Sequence, residues 1–312
     1  MKTAQYNRYG GPEVIEINNS APMPFAGENQ ILVEIYAASL NPFDVSLRSG
    51  RLKEMIPLQF PVTIGGDFSG VVTNLGEDVS EFKIGDKVYG QALVLTGASG
   101  AVAEFATSNV ANSALKPKSI DFVESASLPL VGSSAIQALE EHIKLKSGDK
   151  ILIHGGAGGI GHIAVQLAKH LGAYVATTVS GDDMEFAKNL GADKVIDYKS
   201  EKFEDKIHDF DAVFDTVGGE TMDKSFKVLK RGGVIVSMLG APNPNFAKQH
   251  GVTAIGQNTK ITSEKLNRLA ELVDNGSIKP HIDRVFPLEK TREASKLLEE
   301  GHPQGKVVVK IK

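Results

Sequence analysis

The sequence contains no cysteine, which removes disulfides, thiolate metal ligands and cysteine nucleophiles at once. Basic clusters are missing too: no run of Lys or Arg exceeds two residues, and the formal net charge is −4. A general nucleic-acid binder carries a basic stripe, so that class is set aside. No apolar run approaches the ~18 residues of a membrane-spanning helix. The amino-terminal MKTAQYNRYGG lacks the apolar core of a secretory signal. A cytoplasmic protein with no membrane or nucleic-acid partner is therefore expected. Repeats and low-complexity segments are likewise missing. What is present is ordinary globular composition, 41% hydrophobic and 23% charged, over 312 residues. That length suits about two domains.

The first third reads as short strands and turns. ILVEIYAAS (31–39), FSGVVTNLG (68–76) and DKVYGQAL (86–93) are β-rich and bounded by turn residues. This predicts a mostly antiparallel, barrel-like domain over residues 1–123. From Glu124 the texture changes. Helical spacing runs through Ala135, Leu139 and Ile143, then strands and helices alternate. Strands are expected at 150–154, 173–179, 194–198, 211–217 and 233–239. Helices are expected at 158–171, 184–190 and 220–230. Near-continuous apolar strands between helices predict an α/β fold with a doubly wound parallel sheet over 124–261. The tail, 262–312, carries two further helices and the strand GKVVVKI. Pattern alone leaves it free to extend the parallel sheet or to complete the first domain.

The loop HGGAGGIG contains Gly156, Gly158 and Gly161 in G-x-G-x-x-G spacing. It directly follows a predicted strand and opens a predicted helix, the context that gives the pattern meaning. Such a loop lets a pyrophosphate approach bare backbone at the positive end of a helix. NAD-preferring sites place an acidic residue about 20 residues further on, at the ribose hydroxyls. Ser180 stands there instead, and a small hydroxyl leaves room for a 2′-phosphate. That favours NADPH. Asp182 and Asp183 follow at once and would repel such a phosphate, unless they serve the dipole of the next helix. NADH is therefore kept open.

Nothing else in the chain points to a metal or a nucleophile. His162 and His170 lie about 12 Å apart along one helix. HExxH and G-x-S-x-G are both missing. His154, at a strand end, is expected to be a structural histidine, since no carboxylate partner is apparent for it. No catalytic side chain and no metal site are assigned.

Taken together, several segments resemble one family along the whole chain. They are ASLNPFDVSLRSG (38–50), FPVTIGGDFSGVV (60–72), VSEFKIGDKVYG (79–90), ASLPLVGSSAIQAL (126–139), ILIHGGAGGIGHIAVQLAKHLGA (151–173), GADKVIDY (191–198), VFDTVGGE (213–220) and GKVVVKI. The chain resembles the zinc-free quinone oxidoreductase branch of the medium-chain dehydrogenase/reductase superfamily, near the zeta-crystallin-like and alkenal-reductase-like proteins. The resemblance implies a Rossmann sheet at 124–261 and a GroES-like barrel at 1–123 completed by about 262–312. It implies a homodimer joined along edge strands. Zinc-dependent relatives carry ligands where this chain has Ser39-Leu40-Asn41 and Gly65-Gly66-Asp67.

Carried over position by position, the resemblance gives Gly156, Gly158, Gly159, Ile160 and Gly161 to the pyrophosphate. Ser180 and Tyr198 would meet the 2′-phosphate, and Val217, Leu239 and Gly240 would flank the nicotinamide. Asn41 and Asp44 would line the substrate pocket, or else serve as a turn residue and a helix cap. Two departures stand out. A basic residue common shortly after Ser180 in the family is replaced by the aspartates, leaving Lys199 as a stand-in. Tyrosines found in some quinone-reducing members are replaced by Ser46 and Leu52. The expected activity is NADPH-dependent hydride transfer to quinones or α,β-unsaturated carbonyls, with a small electrophile as the partner. The alternative is an NADPH-binding or sensing protein with little turnover.

Overall fold

Six apolar segments form one parallel sheet in the computed structural model, which describes Met1–Lys312. The strands are β1 (Lys150–His154), β2 (Tyr174–Val179), β3 (Lys194–Asp197), β4 (Phe210–Asp215), β5 (Leu229–Ser237) and β6 (Thr253–Gly256). Their spatial order is β3-β2-β1-β4-β5-β6, and every neighbouring pair is parallel. This is the doubly wound Rossmann order. Ile151, Leu152 and Ile153 are fully buried, as are Ala212, Val213 and Phe214. Strands covered on both faces need no polar alternation.

Parallel neighbours require crossovers, and helices supply them. Helix α1 (Gly161–His170) joins β1 to β2, α2 (Met184–Asn189) joins β2 to β3, and α3 (Glu220–Ser225) joins β4 to β5. α1 buries Ile163, Ala164, Val165, Leu167 and Ala168, a stripe wide enough to cover a sheet.

Several element boundaries differ from expectation. α1 begins at Gly161 rather than Gly158, because the preceding glycines are spent on the turn. α3 stops at Ser225 rather than running to Lys230. Phe226, Val228 and Leu229 are drawn into the core, and β5 already pairs Leu229 with Phe210. Pairing then jumps to Ala212 with Val234, so the residues between bulge out. The helix through Ala135 and Leu139 is α-helical over Pro129–Ile136 and widens to π-helical over Gln137–Ile143.

The chain divides into two compact units. One comprises Val131–Lys260 with Asn275–Lys279 and holds the Rossmann sheet. The other comprises Met1–Leu130, Ile261–Asp274 and Pro280–Lys312. The tail thus returns to the first unit: strand Lys306–Lys310 pairs antiparallel with Gln30–Leu40, placing Val307 opposite Leu40. The seven-stranded sheet there is antiparallel apart from one pair, Ile282–Pro287 with Lys306–Lys310. Helix Thr291–Glu300 forms the crossover between those two. Ile31, Val33 and Ile35 alternate inward along Gln30–Leu40 and pack in one core with Phe68, Val88, Val307 and Val309.

Candidate active site

The turn between β1 and α1 is shaped by what cannot fit. A Cβ at Gly156 would lie 2.1 Å from Thr177 Oγ1, and one at Gly161 only 2.0 Å from the Gly155 carbonyl. Both positions are glycine because protein atoms already fill the space. Gly158 differs: its Cβ would meet nothing nearer than 3.3 Å. Its amide closes the turn onto the Gly155 carbonyl at 3.0 Å. The amides of Gly159 and Ile160 have no acceptor within the protein. Two unpaired N–H groups at the start of a ten-residue helix make a cradle for an anion. The arrangement fits the diphosphate of a dinucleotide.

Past β2, the Ser180 hydroxyl donates to the Asp183 carboxylate at 2.5 Å. Asp183 stands before α2 but makes no capping bond with its side chain. Asp182 and Asp183 do stand at the start of the next helix, and the Asp183 side chain also turns toward Ser180. Tyr198 follows β3, with its amide on the Val179 carbonyl at 3.1 Å and its side chain 54% exposed. The neighbouring Asp197 carboxylate accepts from the Lys199 amide (3.0 Å) and the Ser200 hydroxyl (2.8 Å). Those bonds hold its pKa below the ordinary value. Lys199 is exposed beside it. Val217 and Leu239, on the loops after β4 and β5, are 52% and 58% exposed.

His154 is fully buried at the end of β1. Its Nδ1 pairs with Thr178 Oγ1 and its Nε2 with Ser225 Oγ, each at 2.9 Å. Burial pushes its pKa down to about 4, against the pull of the Asp215 charge. A neutral ring, with one nitrogen donating and one accepting, satisfies both hydroxyls. That is a structural role.

In the other unit, strand register assembles a second polar cluster. Ser39 lies opposite Asp67 and Leu40 opposite Val307. The Asn41 amide nitrogen Nδ2 donates to Asp67 Oδ2 at 2.9 Å. The Lys306 ammonium donates to Asn41 Oδ1 and to the Leu40 carbonyl. Asp44 Oδ2 accepts from the Asn41 backbone amide at 2.8 Å, capping the helix Pro42–Arg48. Asp44 also lines a small hollow with Tyr6, Leu47, Ile64 and Leu93. Burial pushes the Asp44 carboxyl up to about 7, opposed by its amide bond and by Lys306. Asp67 is raised for the same reason. Lys306 is lowered by burial, while both carboxylates work against that shift. Asp67 and Lys306 escaped the sequence reading, although both stand inside quoted motifs. Only the strand register, which spacing does not reveal, brings them together.

These residues do not fit a zinc ion. The chain offers no thiolate. At the matching position Asp67 takes bonds from Asn41, Ser39 and the Leu130 amide, all on Oδ2, while its Oδ1 is buried without a partner. No group of three or more His, Asp or Glu is arranged to hold a metal.

Residues 27–118 match the alcohol dehydrogenase GroES-like domain family, and residues 190–309 match a family described as zinc-binding dehydrogenase. An NADPH-dependent alkenal/one oxidoreductase of Arabidopsis thaliana is 37% identical over 99% of this chain and 79% of its own length. A 2-methylene-furan-3-one reductase of Solanum lycopersicum is 40% identical over the same shares. A solved quinone oxidoreductase from Coxiella burnetii superposes with a TM-score of 0.91 at 38% identity, covering 100% of this chain and 99% of that one.

Proposed function

This chain belongs to the medium-chain dehydrogenase/reductase superfamily, and from that premise we propose an NADPH-dependent, zinc-independent reductase of quinones or α,β-unsaturated carbonyls. The observation that carries the reading is the pair of unpaired amides, Gly159 and Ile160, at the start of α1 in a sheet of Rossmann order.

Gly159 and Ile160 hold the diphosphate, and Gly158 keeps the approach open. Ser180 and Tyr198 meet the adenosine ribose and its 2′-phosphate. Val217, Leu239 and Gly240 press on the nicotinamide and keep water from it. Bound NADPH supplies the hydride. The protein's part is to orient donor and acceptor and to exclude solvent. Asn41 and Asp44 belong to the substrate pocket in this reading. The proton that completes the reduction comes from solvent, since oxygen anions of enolates and hydroquinones are readily protonated in water. A homodimer in the cytoplasm completes the proposal. β6, an outer strand of the Rossmann sheet, offers an unpaired edge for a second copy; sedimentation of the purified chain tests it.

The decisive assay follows NADPH oxidation with a panel of enones and a panel of quinones. Turnover with members of either panel is expected. Tight NADPH binding with no turnover on both panels would replace this reading with a cofactor-sensing role.

A further inference from the structure

We propose that Asp215 is a positioning residue that fixes the two loops meeting the nicotinamide end of the cofactor. It acts through Ser237 and the backbone of Val217 and Gly218. The inference rests on the dinucleotide reading above and deepens it.

Placement comes first. Asp215 is the last residue of β4 and His154 the last of β1. These strands are neighbours at the point where the order of the sheet reverses. Ligands of such sheets bind outside the carboxyl ends of the strands at that reversal.

The bonding comes second. The Asp215 carboxylate is fully buried. Its Oδ1 accepts from the amides of Val217 and Gly218, both at 3.0 Å. Its Oδ2 accepts from the Gly218 amide at 3.1 Å and from the Ser237 hydroxyl at 2.9 Å. The Ser237 oxygen accepts in turn from the Leu239 amide at 3.1 Å. The Met238 amide donates to the Asp215 carbonyl at 2.9 Å. One side chain thus ties the first residues beyond β4 to the first residues beyond β5. Gly218 has φ +78°, and a Cβ there would lie 2.8 Å from Leu239 Cβ, so the two loops touch.

The consequence comes third. Val217 and Leu239 project from these bonded loops while remaining more than half exposed. Two apolar side chains held in fixed places beside a cofactor cradle suit a flat ring that would cover them. Holding the loops together needs an acceptor and nothing else, because every hydrogen-bond partner of the carboxylate is an N–H or O–H donor. An amide at position 215 would turn its own NH₂ toward one of those donors. A carboxylate is otherwise a costly group to bury.

The test uses the full chain with Asp215→Asn and Ser237→Ala. Each variant is titrated with NADPH and with 2′-phospho-ADP-ribose, which lacks the nicotinamide. Affinity for the fragment should stay within about twofold of wild type. Affinity for NADPH should fall about tenfold in Asp215→Asn and about threefold in Ser237→Ala, as expected for losing charged and neutral hydrogen bonds respectively. The fluorescence of bound NADPH should shift toward that of the free cofactor. A parallel loss for both ligands would mean a merely structural role and overturn the proposal, as would unchanged NADPH binding in both variants. If Asp215→Asn does not fold, Ser237→Ala decides. A wild-type chain that binds NADPH but reduces no acceptor defeats the reductase reading alone, because neither titration nor fluorescence needs an acceptor. A wild-type chain that binds neither ligand defeats both.

Discussion

In the dinucleotide unit the Asp215 carboxylate meets only neutral donors, two main-chain amides and a hydroxyl. In the other unit the buried Lys306 ammonium bonds Asn41 and the Leu40 carbonyl and acts on Asp67 and Asp44 through its charge. Both solutions silence a buried charge, but they are built differently. The donors of Asp215 lie at most 22 residues away, on turns that follow two neighbouring strands. Lys306 and Asn41 are 265 residues apart and meet only because the last strand pairs with Gln30–Leu40. A dipolar site assembles locally. An ionic one here waits for the chain to close on itself, and it ties tertiary closure to charge.

The largest effect should come from breaking the ionic site. Lys306→Met removes the cation acting on two buried carboxylates and leaves the Leu40 carbonyl and Asn41 Oδ1 without their donor, a loss of about 1–3 kcal/mol for each acceptor. Urea denaturation above neutral pH should show it. Near pH 5 the loss should shrink, because raised carboxyl pKa values let Asp44 and Asp67 take up protons. Adding Asp67→Asn should restore part of the stability. Equal stability of wild type and Lys306→Met just above neutral pH, where the ammonium is still charged, would refute the ionic reading.

The dipolar side is sharpened by contrasting two glycines of one loop. Gly161→Ala forces a methyl to within 2.0 Å of the Gly155 carbonyl. It should cost ~1–3 kcal/mol of stability through overpacking. Gly158→Ala meets nothing nearer than 3.3 Å. That is a tight but relievable contact with backbone, so it should cost less stability than Gly161→Ala, about 0.5–1 kcal/mol, yet weaken NADPH binding about tenfold, because a methyl narrows the approach to the backbone. If both variants lose binding and stability together, the loop is a folding element before it is a cradle.

A smaller effect is the pH dependence of the ionic unit. Burial pushes the folded Asp44 carboxyl up to about 7 from an ordinary value of 3.8. Between those values the folded state holds a proton that the unfolded state has released, so stability falls as pH rises through that window. Asp67 shifts in the same direction. Lys306, lowered, acts with the opposite sign, its contribution growing with pH on the alkaline side. Asp44→Asn keeps an acceptor for the Asn41 amide and removes one titration. Its melting temperature should decline less steeply than that of wild type between about pH 4 and 7. Parallel curves would locate the proton elsewhere in the cluster.

The same contrast explains what could be read in advance. The alternation of apolar strands and helices, the glycine turn and the seat of Ser180 are features of neighbouring residues, and local spacing records them. The helix expected at 220–230 forms but ends at Ser225, because Phe226 and Leu229 fit a helical stripe as well as a core strand; only packing on Phe210 decided it. The roles of Asp67 and Lys306 were illegible for a different reason. Neither residue type nor spacing says that strand Lys306–Lys310 lies beside Gln30–Leu40, and the pair exists only in that register. Asn41 and Asp44 were named for a pocket. Their side chains are now also known to hold Lys306 and the start of helix Pro42–Arg48.

The smallest expected effect concerns the dinucleotide's far end, where a charge intrudes on an otherwise dipolar unit. Asp183 Oδ2 accepts the Ser180 hydroxyl at 2.5 Å, so if Ser180 meets the 2′-phosphate as proposed, a carboxylate stands beside it. Like charges there repel, and the repulsion weakens with salt. Asp183→Asn keeps an acceptor for Ser180 while removing the charge. NADPH should bind about three- to tenfold more tightly to the variant at low ionic strength, with the gain fading as salt is raised. NADH, which has only ribose hydroxyls to offer, should bind equally or slightly less well, since a carboxylate is the better acceptor for them. Titrating both dinucleotides against both proteins measures the ratio directly. An unchanged ratio would show that the Asp183 charge is turned from the ribose, and would leave Lys199 as the residue to remove next.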